Sequence, residues 1–278
     1  MNSNKAVAGG EPFSTGSHLE VNISLAAYPG LTHEAAAGLA ISSAQAGMLC
    51  EPALGMLSAN HVQLVPQNYG HLTTERALQL AGTYPLAQFR LHANVRVLPR
   101  HTVADIASFE SHGEWFAQAA KISQLLNAPA YSAHSGYRAD ATVNQMLDNA
   151  RRIADLFGCP VAIEGQYPAA EDALLVSSWD EYRHVFESGV PYALDLSHLN
   201  ILAHKSGVRP DGMIQEMLAC ERCIEVHVSA NDGRGDFHQT CDAPAWWSPL
   251  LTHTNKSSVV FSEGNHRLKR KVAHRLGE

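Results

Sequence analysis

Metal-binding side chains recur along this sequence at intervals of 30 to 42 residues, and each comes at or near the end of a short apolar run. They are imidazoles and carboxylates, whose nitrogen and oxygen atoms suit zinc, iron or manganese better than Cu(I). A regular spacing of this kind predicts a shared metal site, provided that the fold brings the ends of successive elements together. The six residues are His92, His134, Glu164, Asp195, His227 and Glu263.

Two short motifs add three further candidates to this set. Asp195-x-x-His198 places a histidine one turn beyond a strand-end carboxylate, where the chain is expected to enter the next helix. Asp236-x-His238 lies in a glycine-bearing loop, and side chains two residues apart point to the same side of an extended chain. The nine donors are too many for one ion and suffice for three, with Glu164 and Asp195 available as bridges.

Eight short apolar or β-branched segments alternate with longer amphipathic segments, several of them rich in alanine. This alternation predicts a single (β/α)8 TIM barrel over residues 19–278, preceded by a loose polar tail at residues 1–18. A doubly wound sheet is the alternative, but the turn after the first strand lacks the glycine-rich sequence of that fold. Because barrel strands run parallel, their carboxyl ends would deliver the donors to one face. The predicted strands are Val21–Leu25, Val62–Pro66, Phe89–Val97, Ala130–His134, Val161–Glu164, Tyr192–Leu196, Ile224–Val228 and Ser258–Glu263.

Composition excludes several classes of protein. The chain has 278 residues, 45% of them hydrophobic, which excludes a disordered chain. Its formal net charge of −7 argues against non-specific nucleic-acid binding, whose affinity comes from neutralised phosphates. No stretch approaches 18 uninterrupted apolar residues, so no membrane span or membrane partner is expected. The five cysteines are an odd, scattered set, which favours reduced thiols and a cytoplasmic location.

The order of the donors resembles the trinuclear site of the endonuclease IV-like, xylose-isomerase-type barrels. Within that superfamily, the stretches VQLVPQNYG, FRLHANV, IEGQYP and DFHQTCDAPAWW resemble the multinuclear non-heme iron-dependent oxidative enzymes of the methanobactin-biosynthesis type. The sequence departs from that oxidative family at Gln67, where the family has glutamate. It also departs at Ser197-His198, where the family has an asparagine pair and the nuclease pattern has a histidine.

The resemblance implies three ion positions at one end of the barrel. His92, His134 and Glu164 would hold one ion, Glu164, Asp195, His227 and Glu263 a second, and His198, Asp236 and His238 a third. Glu164, Asp195 and His198 are the predicted catalytic residues.

The same resemblance implies an activity. Two or three iron ions of mixed valence would use O2 to modify a cysteine of a ribosomally made precursor peptide. Products of such reactions include oxazolone–thioamide groups and peptides from which the cysteine β-carbon is excised. A partner protein that binds the leader of the precursor is expected as well.

Two other classes of function remain open from the residues. The first is a zinc or manganese enzyme, either an abasic-site phosphodiesterase or a sugar isomerase. The acidic charge disfavours the former, and the latter needs only one or two ions, which leaves His198, Asp236 and His238 unexplained. The second is a metal-binding protein without catalysis, which does not explain why so many donors lie at the face where barrel enzymes have their sites.

Overall fold

The computed structural model describes residues 19–267 and shows a parallel eight-stranded sheet. The predicted tail at residues 1–18 and the last residues, 268–278, lie outside the described part of the chain. The strands follow one another around the sheet in the order β3-β2-β1-β8-β7-β6-β5-β4. They are β1 (Val21–Ser24), β2 (Ser58–Leu64), β3 (Gln88–Leu91), β4 (Tyr131–His134), β5 (Val161–Glu164), β6 (Tyr192–Asp195), β7 (Cys223–Val228) and β8 (Val259–Ser262).

The two ends of this strand order meet at a short seam. An isolated parallel bridge joins His92, just beyond β3, to Ser132 in β4. The amide of Ala93 donates to the carbonyl of Ser132 at 2.8 Å, while the amide of His92 donates to Leu64 in β2 at 2.9 Å. The sheet therefore curls into a nearly closed barrel, which confirms the predicted (β/α)8 architecture.

Helices cover the outside of the barrel, and side-chain caps define where several of them begin. Thr32, Thr73 and Ser178 each accept a hydrogen bond from the amide three residues on, and Thr142 forms a capping box with Gln145. The α-helices are α1 (His33–Gln45), α2 (Thr74–Thr83), α3 (Gly113–Leu125), α4 (Val143–Phe157), α5 (Trp179–Glu187), α6 (Leu196–Ser206) and α7 (Asp211–Ala219). Short 3-10 segments span Leu25–Ala27, Ile106–His112, Ala170–Asp172 and Ser248–His253.

The third strand is shorter than its apolar pattern predicts. It ends at Leu91 instead of Val97, because Ala93 takes a left-handed conformation with φ 45°. The amide of Val95 then bonds back to Ala93, so the chain turns across the mouth of the barrel. This early end leaves His92 at the rim, where it can face the donors of other strands.

A small antiparallel hairpin, Cys50–Glu51 with Gly55–Met56, lies between α1 and β2 along the chain. Its Glu51 is fully buried and accepts hydrogen bonds from Ser262 and from the amide of Cys241. These bonds tie the hairpin to the end of β8 and to the segment that follows β7. Within residues 19–267, the helices are too short or too polar to cross a membrane.

Candidate metal centre

Glu164, the last residue of β5, lies at the centre of the predicted donors and is 1% exposed. Its Oε2 is 3.4 Å from His92 Nε2 and 3.2 Å from His227 Nδ1. Its Oε1 is 3.7 Å from His134 Nε2 and 3.4 Å from His198 Nδ1. Each oxygen thus faces two imidazoles from different βα units. His92 and His227 at Oε2 and His134 at Oε1 can each share an ion with the carboxylate, an arrangement suited to bridging two ions.

Asp195 ends β6 and positions His198 at the same time. One of its oxygens, Oδ1, accepts from the amides of Ser197 (2.6 Å) and His198 (3.1 Å) and so caps α6. A carboxylate is favoured there because the helix dipole is positive at its N-terminus. The other oxygen, Oδ2, faces His198 Nε2 at 3.3 Å. The D-x-x-H spacing therefore has the predicted placement. Asp195 caps α6, and the first turn of this helix brings the His198 imidazole to the Asp195 carboxylate.

The orientation of the His198 ring is fixed by its other nitrogen. Nδ1 is 2.9 Å from the carbonyl of Gly165, and a carbonyl can only accept, so Nδ1 carries the proton. In the neutral ring that binds a metal, the lone pair is then on Nε2, and that atom is 3.4 Å from Asp236 Oδ2. Tyr167 covers the ring edge-on, with the two ring centroids 4.9 Å apart.

Asp236 and His238 come from the loop that follows β7. Backbone hydrogen bonds in both directions between Ala230 and Gln239 close this loop at its base. Gly233 lies so close to His204 that a Cβ at position 233 would be 2.8 Å from the His204 side chain. Its φ of 79° also disfavours other residues, so glycine is required there. The closed loop holds both side chains over the barrel mouth.

The sequence analysis expected an extended conformation for the Asp236-x-His238 motif, and that expectation is wrong. His238 takes a left-handed conformation with φ 45°, and its carbonyl accepts from the amide of Asn265 at 2.7 Å. The two side chains still meet, with His238 Nε2 3.0 Å from Asp236 Oδ2, while His238 Nδ1 is 3.6 Å from Glu263 Oε2. A turn, and not strand-like alternation, brings them together.

The donors form overlapping groups with the geometry of ion sites. In three triplets within the described residues, the donor atoms all lie within 4.8 Å of one another. Four buried donor atoms make no hydrogen bond there, although buried polar atoms in folded proteins are nearly always bonded. The residues present therefore fit a metal centre. The triplets are His92, His134, Glu164, then Glu164, Asp195, His227, then His92, His227, Glu263, and the unbonded atoms are Glu164 Oε2, Asp195 Oδ2, His227 Nδ1 and His238 Nδ1.

The charges in the cluster act strongly on one another. Burial raises the pKa of Glu263 to about 7, against the opposing influence of His227 and His238. Burial also favours the neutral form of Glu164, yet the imidazoles of His227, His92 and His134 hold its pKa well below the ordinary value. Burial lowers the pKa of His92 to about 3.

Burial disfavours the charged forms of His198 and His227, yet Asp195 beside the first and Glu164 beside the second hold their pKa values well above the ordinary value. Protons on these imidazoles thus balance the carboxylates, and a bound cation could take their place.

His134 is the most exposed of the strand-end donors, with 28% of its side chain accessible. Its Nδ1 is 3.7 Å from Asp105 Oδ1, and that same oxygen accepts from Asn94 Nδ2 at 3.1 Å. Asp105 therefore lies behind the imidazole, on the side away from Glu164, and can orient it. The sequence analysis missed Asp105, because it precedes a 3-10 segment and follows no strand.

Sequence analysis also missed a layer of polar residues beneath the donors, inside the barrel. A signal for them exists, since side chains two residues apart on a strand point to the same side. A polar residue two positions before a strand-end donor must therefore face the barrel interior, where an apolar residue is the norm. The layer consists of Gln63, Arg90, Ser132 and Glu225, all buried, and the last three precede His92, His134 and His227 by two positions.

No protein-family model matches this sequence, and no curated protein matches it either. Solved structures with the same fold do exist. A D-tagatose 3-epimerase-like protein gives a TM-score of 0.57 at 14% identity, with 93% of this chain and 97% of that chain covered. The family 2 AP endonuclease of Brucella melitensis gives a TM-score of 0.56 at 14% identity, with 90% and 94% covered.

A xylose isomerase domain protein from Alicyclobacillus acidocaldarius is also similar, with a TM-score of 0.54 at 12% identity and coverage of 93% of this chain and 98% of that chain. Identities this low show the fold and not the activity. The chain has the xylose-isomerase-like (β/α)8 TIM-barrel fold.

Proposed function

We propose that this protein is an enzyme that works through a multinuclear metal centre at the carboxyl ends of its barrel strands. The observation that carries the proposal is Glu164, whose two oxygens each face two imidazoles at 3.2 to 3.7 Å. A carboxylate buried among four histidines is costly unless it binds cations or protons. Two ions bridged by this carboxylate would use the unbonded atoms of Asp195 and His227 as further ligands.

Our proposal for the chemistry is oxidation of a peptidyl cysteine by O2, with iron as the metal. The resemblance of the donor order and of the stretches around it to the iron-dependent oxidative enzymes supports this choice. None of the nine donors is a thiolate, so a sulfur ligand would come from the substrate. Iron, when bound, lowers the pKa of a coordinated thiol and exchanges electrons with O2.

The chain's own residues would orient the substrate and leave a path from solvent to the metal centre. His134 and His238 are 28% and 25% exposed, whereas His92 and His227 lie almost fully inside. A peptide would therefore approach on the side of the first pair. A partner protein that binds the leader of the precursor belongs to this proposal too.

A second candidate is a zinc or manganese enzyme without redox chemistry, either a phosphodiesterase or a sugar epimerase. The comparisons favour this candidate over the oxidase, because the similar structures include an epimerase-like protein and an AP endonuclease. His198 also favours it, since a histidine at that position is the nuclease-like feature of the donor set. The net charge of −7 counts against the nucleic-acid version.

One experiment separates the two candidates. The protein is purified anaerobically without added metal, and its metal content and visible spectrum are recorded. The oxidase predicts two or more iron ions per chain and turnover of a cysteine-containing peptide only with reduced iron and O2. Stoichiometric zinc or manganese, with cleavage of abasic DNA or epimerisation of a ketose, would overturn the oxidase and establish the second candidate.

A further inference from the structure

Glu225 lies in the middle of the polar layer beneath the metal centre and is fully buried. It occupies β7 two positions before His227, so its side chain points into the barrel below that histidine. Its Oε1 accepts from Arg90 Nη1 at 2.7 Å. Its Oε2 accepts from Ser132 Oγ at 2.6 Å and from His227 Nε2 at 3.1 Å.

A buried ion pair of this kind is seldom explained by stability. Arg90 and Glu225 are at most 2% exposed, and removing two charges from water carries a desolvation penalty that can exceed their attraction. Apolar residues of similar volume would fill the barrel interior at least as well. Two of the remaining contacts of Glu225, those with Ser132 and His227, lead to predicted metal ligands and indicate another role.

The direction of each hydrogen bond follows from the carboxylate. Arg90 donates to Glu225 Oε1 at 2.7 Å inside the barrel, so Glu225 is an ionised carboxylate and only accepts. His227 Nε2 also lies 3.0 Å from Gln63 Nε2, but that amide group has Glu225 Oε2 as its own acceptor at 3.3 Å. Because a charged carboxylate is the stronger partner, it holds the proton of a neutral His227 ring on Nε2 and leaves the lone pair on Nδ1, 3.2 Å from Glu164.

Ser132 transmits the same constraint to His92. Its hydroxyl proton is donated to Glu225, so its oxygen accepts from His92 Nδ1 at 3.0 Å. The lone pair of His92 Nε2 then faces Glu164 at 3.4 Å.

We propose that Glu225 is a positioning residue that selects the metal-binding nitrogen of two histidines at once, Nδ1 of His227 and Nε2 of His92. The two imidazoles pack edge to face, with their ring centroids 4.8 Å apart. They would bind metal through opposite nitrogens, because Nε2 of His227 contacts Glu225 directly, whereas Nδ1 of His92 contacts it through the Ser132 hydroxyl. This inference rests on the proposed function only in requiring that the cluster binds metal, and it holds for either candidate chemistry.

The direct test uses the full chain loaded with zinc, which is diamagnetic, and ¹⁵N-labelled histidine. Nuclear magnetic resonance then reports which ring nitrogen carries the proton and which binds the metal. His227 is expected to show a protonated Nε2 and a zinc-bound Nδ1, and His92 the reverse. Finding both histidines bound through the same nitrogen would overturn the proposal without any substitution.

The variant Glu225→Gln tests the same point by affinity. Glutamine has one acceptor oxygen where glutamate has two. If that oxygen accepts from Arg90, the NH2 group faces His227 Nε2–H and favours the tautomer with the proton on Nδ1, which cannot bind the metal. Zinc affinity, measured by competition with a chelator, should fall about 10- to 100-fold. Ser132→Ala should disturb only the ¹⁵N pattern of His92, and it serves as the second variant if Glu225→Gln does not fold.

The control is Glu181→Gln, which removes another carboxylate that pairs with an arginine, Arg138 at 2.6 Å. It should change neither zinc affinity nor the ¹⁵N pattern. If Glu225→Gln lowered the melting temperature but kept both, Glu225 would be structural only and the inference would fail. If the unchanged protein bound no zinc, iron or manganese, the metal centre itself, and with it the proposed function, would be overturned.

Discussion

The donors divide into two groups that are held in different ways. The inner group lies at or next to the carboxyl ends of six barrel strands, and five of its members are at most 5% exposed. The outer group is held by a helix and a loop: His198 lies in the first turn of α6, and Asp236 and His238 lie beyond β7. The inner group is His92, His134, Glu164, Asp195, His227 and Glu263.

The difference concerns how much order each group has before a metal binds. Strand-end side chains are fixed by the sheet and by the polar layer below, whereas the loop depends on a few backbone bonds at its base. Side chains on loops lose more conformational entropy when they bind, so their ligation is weaker for the same chemistry. The inner group should therefore bind metal first and release it last.

The largest effect is expected from Glu164→Gln. A neutral amide bridges ions poorly, and this residue contacts imidazoles of both groups. Metal content should fall to one ion or fewer per chain, with loss of turnover, while far-ultraviolet circular dichroism stays unchanged because strand-end residues at this face contribute little to stability. A variant with its full metal load and turnover would show that Glu164 is not a ligand.

His238→Ala should remove about one ion and leave the others in place, as each ion needs its own ligands. Metal analysis per chain is the measurement, and substitution of the exposed His253 by alanine is the matched control. Loss of all metal would mean that the loop organises the whole centre, so the division into two groups would fail. An unchanged metal content would show that Asp236-x-His238 is an ordinary hydrogen-bonded loop without metal ligands.

Asp105→Asn tests how His134, the most exposed member of the inner group, is oriented. Asparagine keeps the shape of the contact with Asn94 but loses the charge behind His134. Affinity for the ion held by His134 should fall about 10-fold, which is the lower end of the range for substitutions of residues that orient a metal ligand. Chelator competition measures this loss, and an equal loss at every ion position would contradict a local role.

The smallest effect is expected from Ser197→Ala. Its hydroxyl donates to Asp236 Oδ1 at 3.3 Å, and such a bond contributes about 0.5 to 1.5 kcal/mol. Affinity of the outer ion should fall about 2- to 10-fold, and the inner ions should bind as before. If the inner ions weakened instead, Ser197 would act through the cap of α6 and not through the loop.

The sequence predicts the inner group well for a simple reason. Parallel strands have their carboxyl ends on one face, so any donor at a strand end reaches that face whatever the loops do. The seventh and eighth strands show this, since His227 and Glu263 lie within one residue of where their apolar runs end and face the same cluster.

The remainder depends on details that a pattern of apolar residues does not carry. The turn at Ala93 ended the third strand early, and the turn at His238 brought its side chain to Asp236 by an unexpected route. Glu225 and Arg90 were missed because a charged pair inside a barrel looks, in sequence, like two exposed residues of a strand. The donor residues do not select one metal, because nitrogen and oxygen donors suit iron, zinc and manganese alike.

The seam between β3 and β4 would give a bound metal a mechanical role. His92 and His134 stand on opposite sides of this seam, where a single bridge replaces a continuous ladder. An ion held by both would clamp the barrel at its least hydrogen-bonded joint. The amide of Ala93 donates across the seam to Ser132, and its hydrogen exchange should then slow on loading, because the local opening that exposes this amide would require the ion to leave.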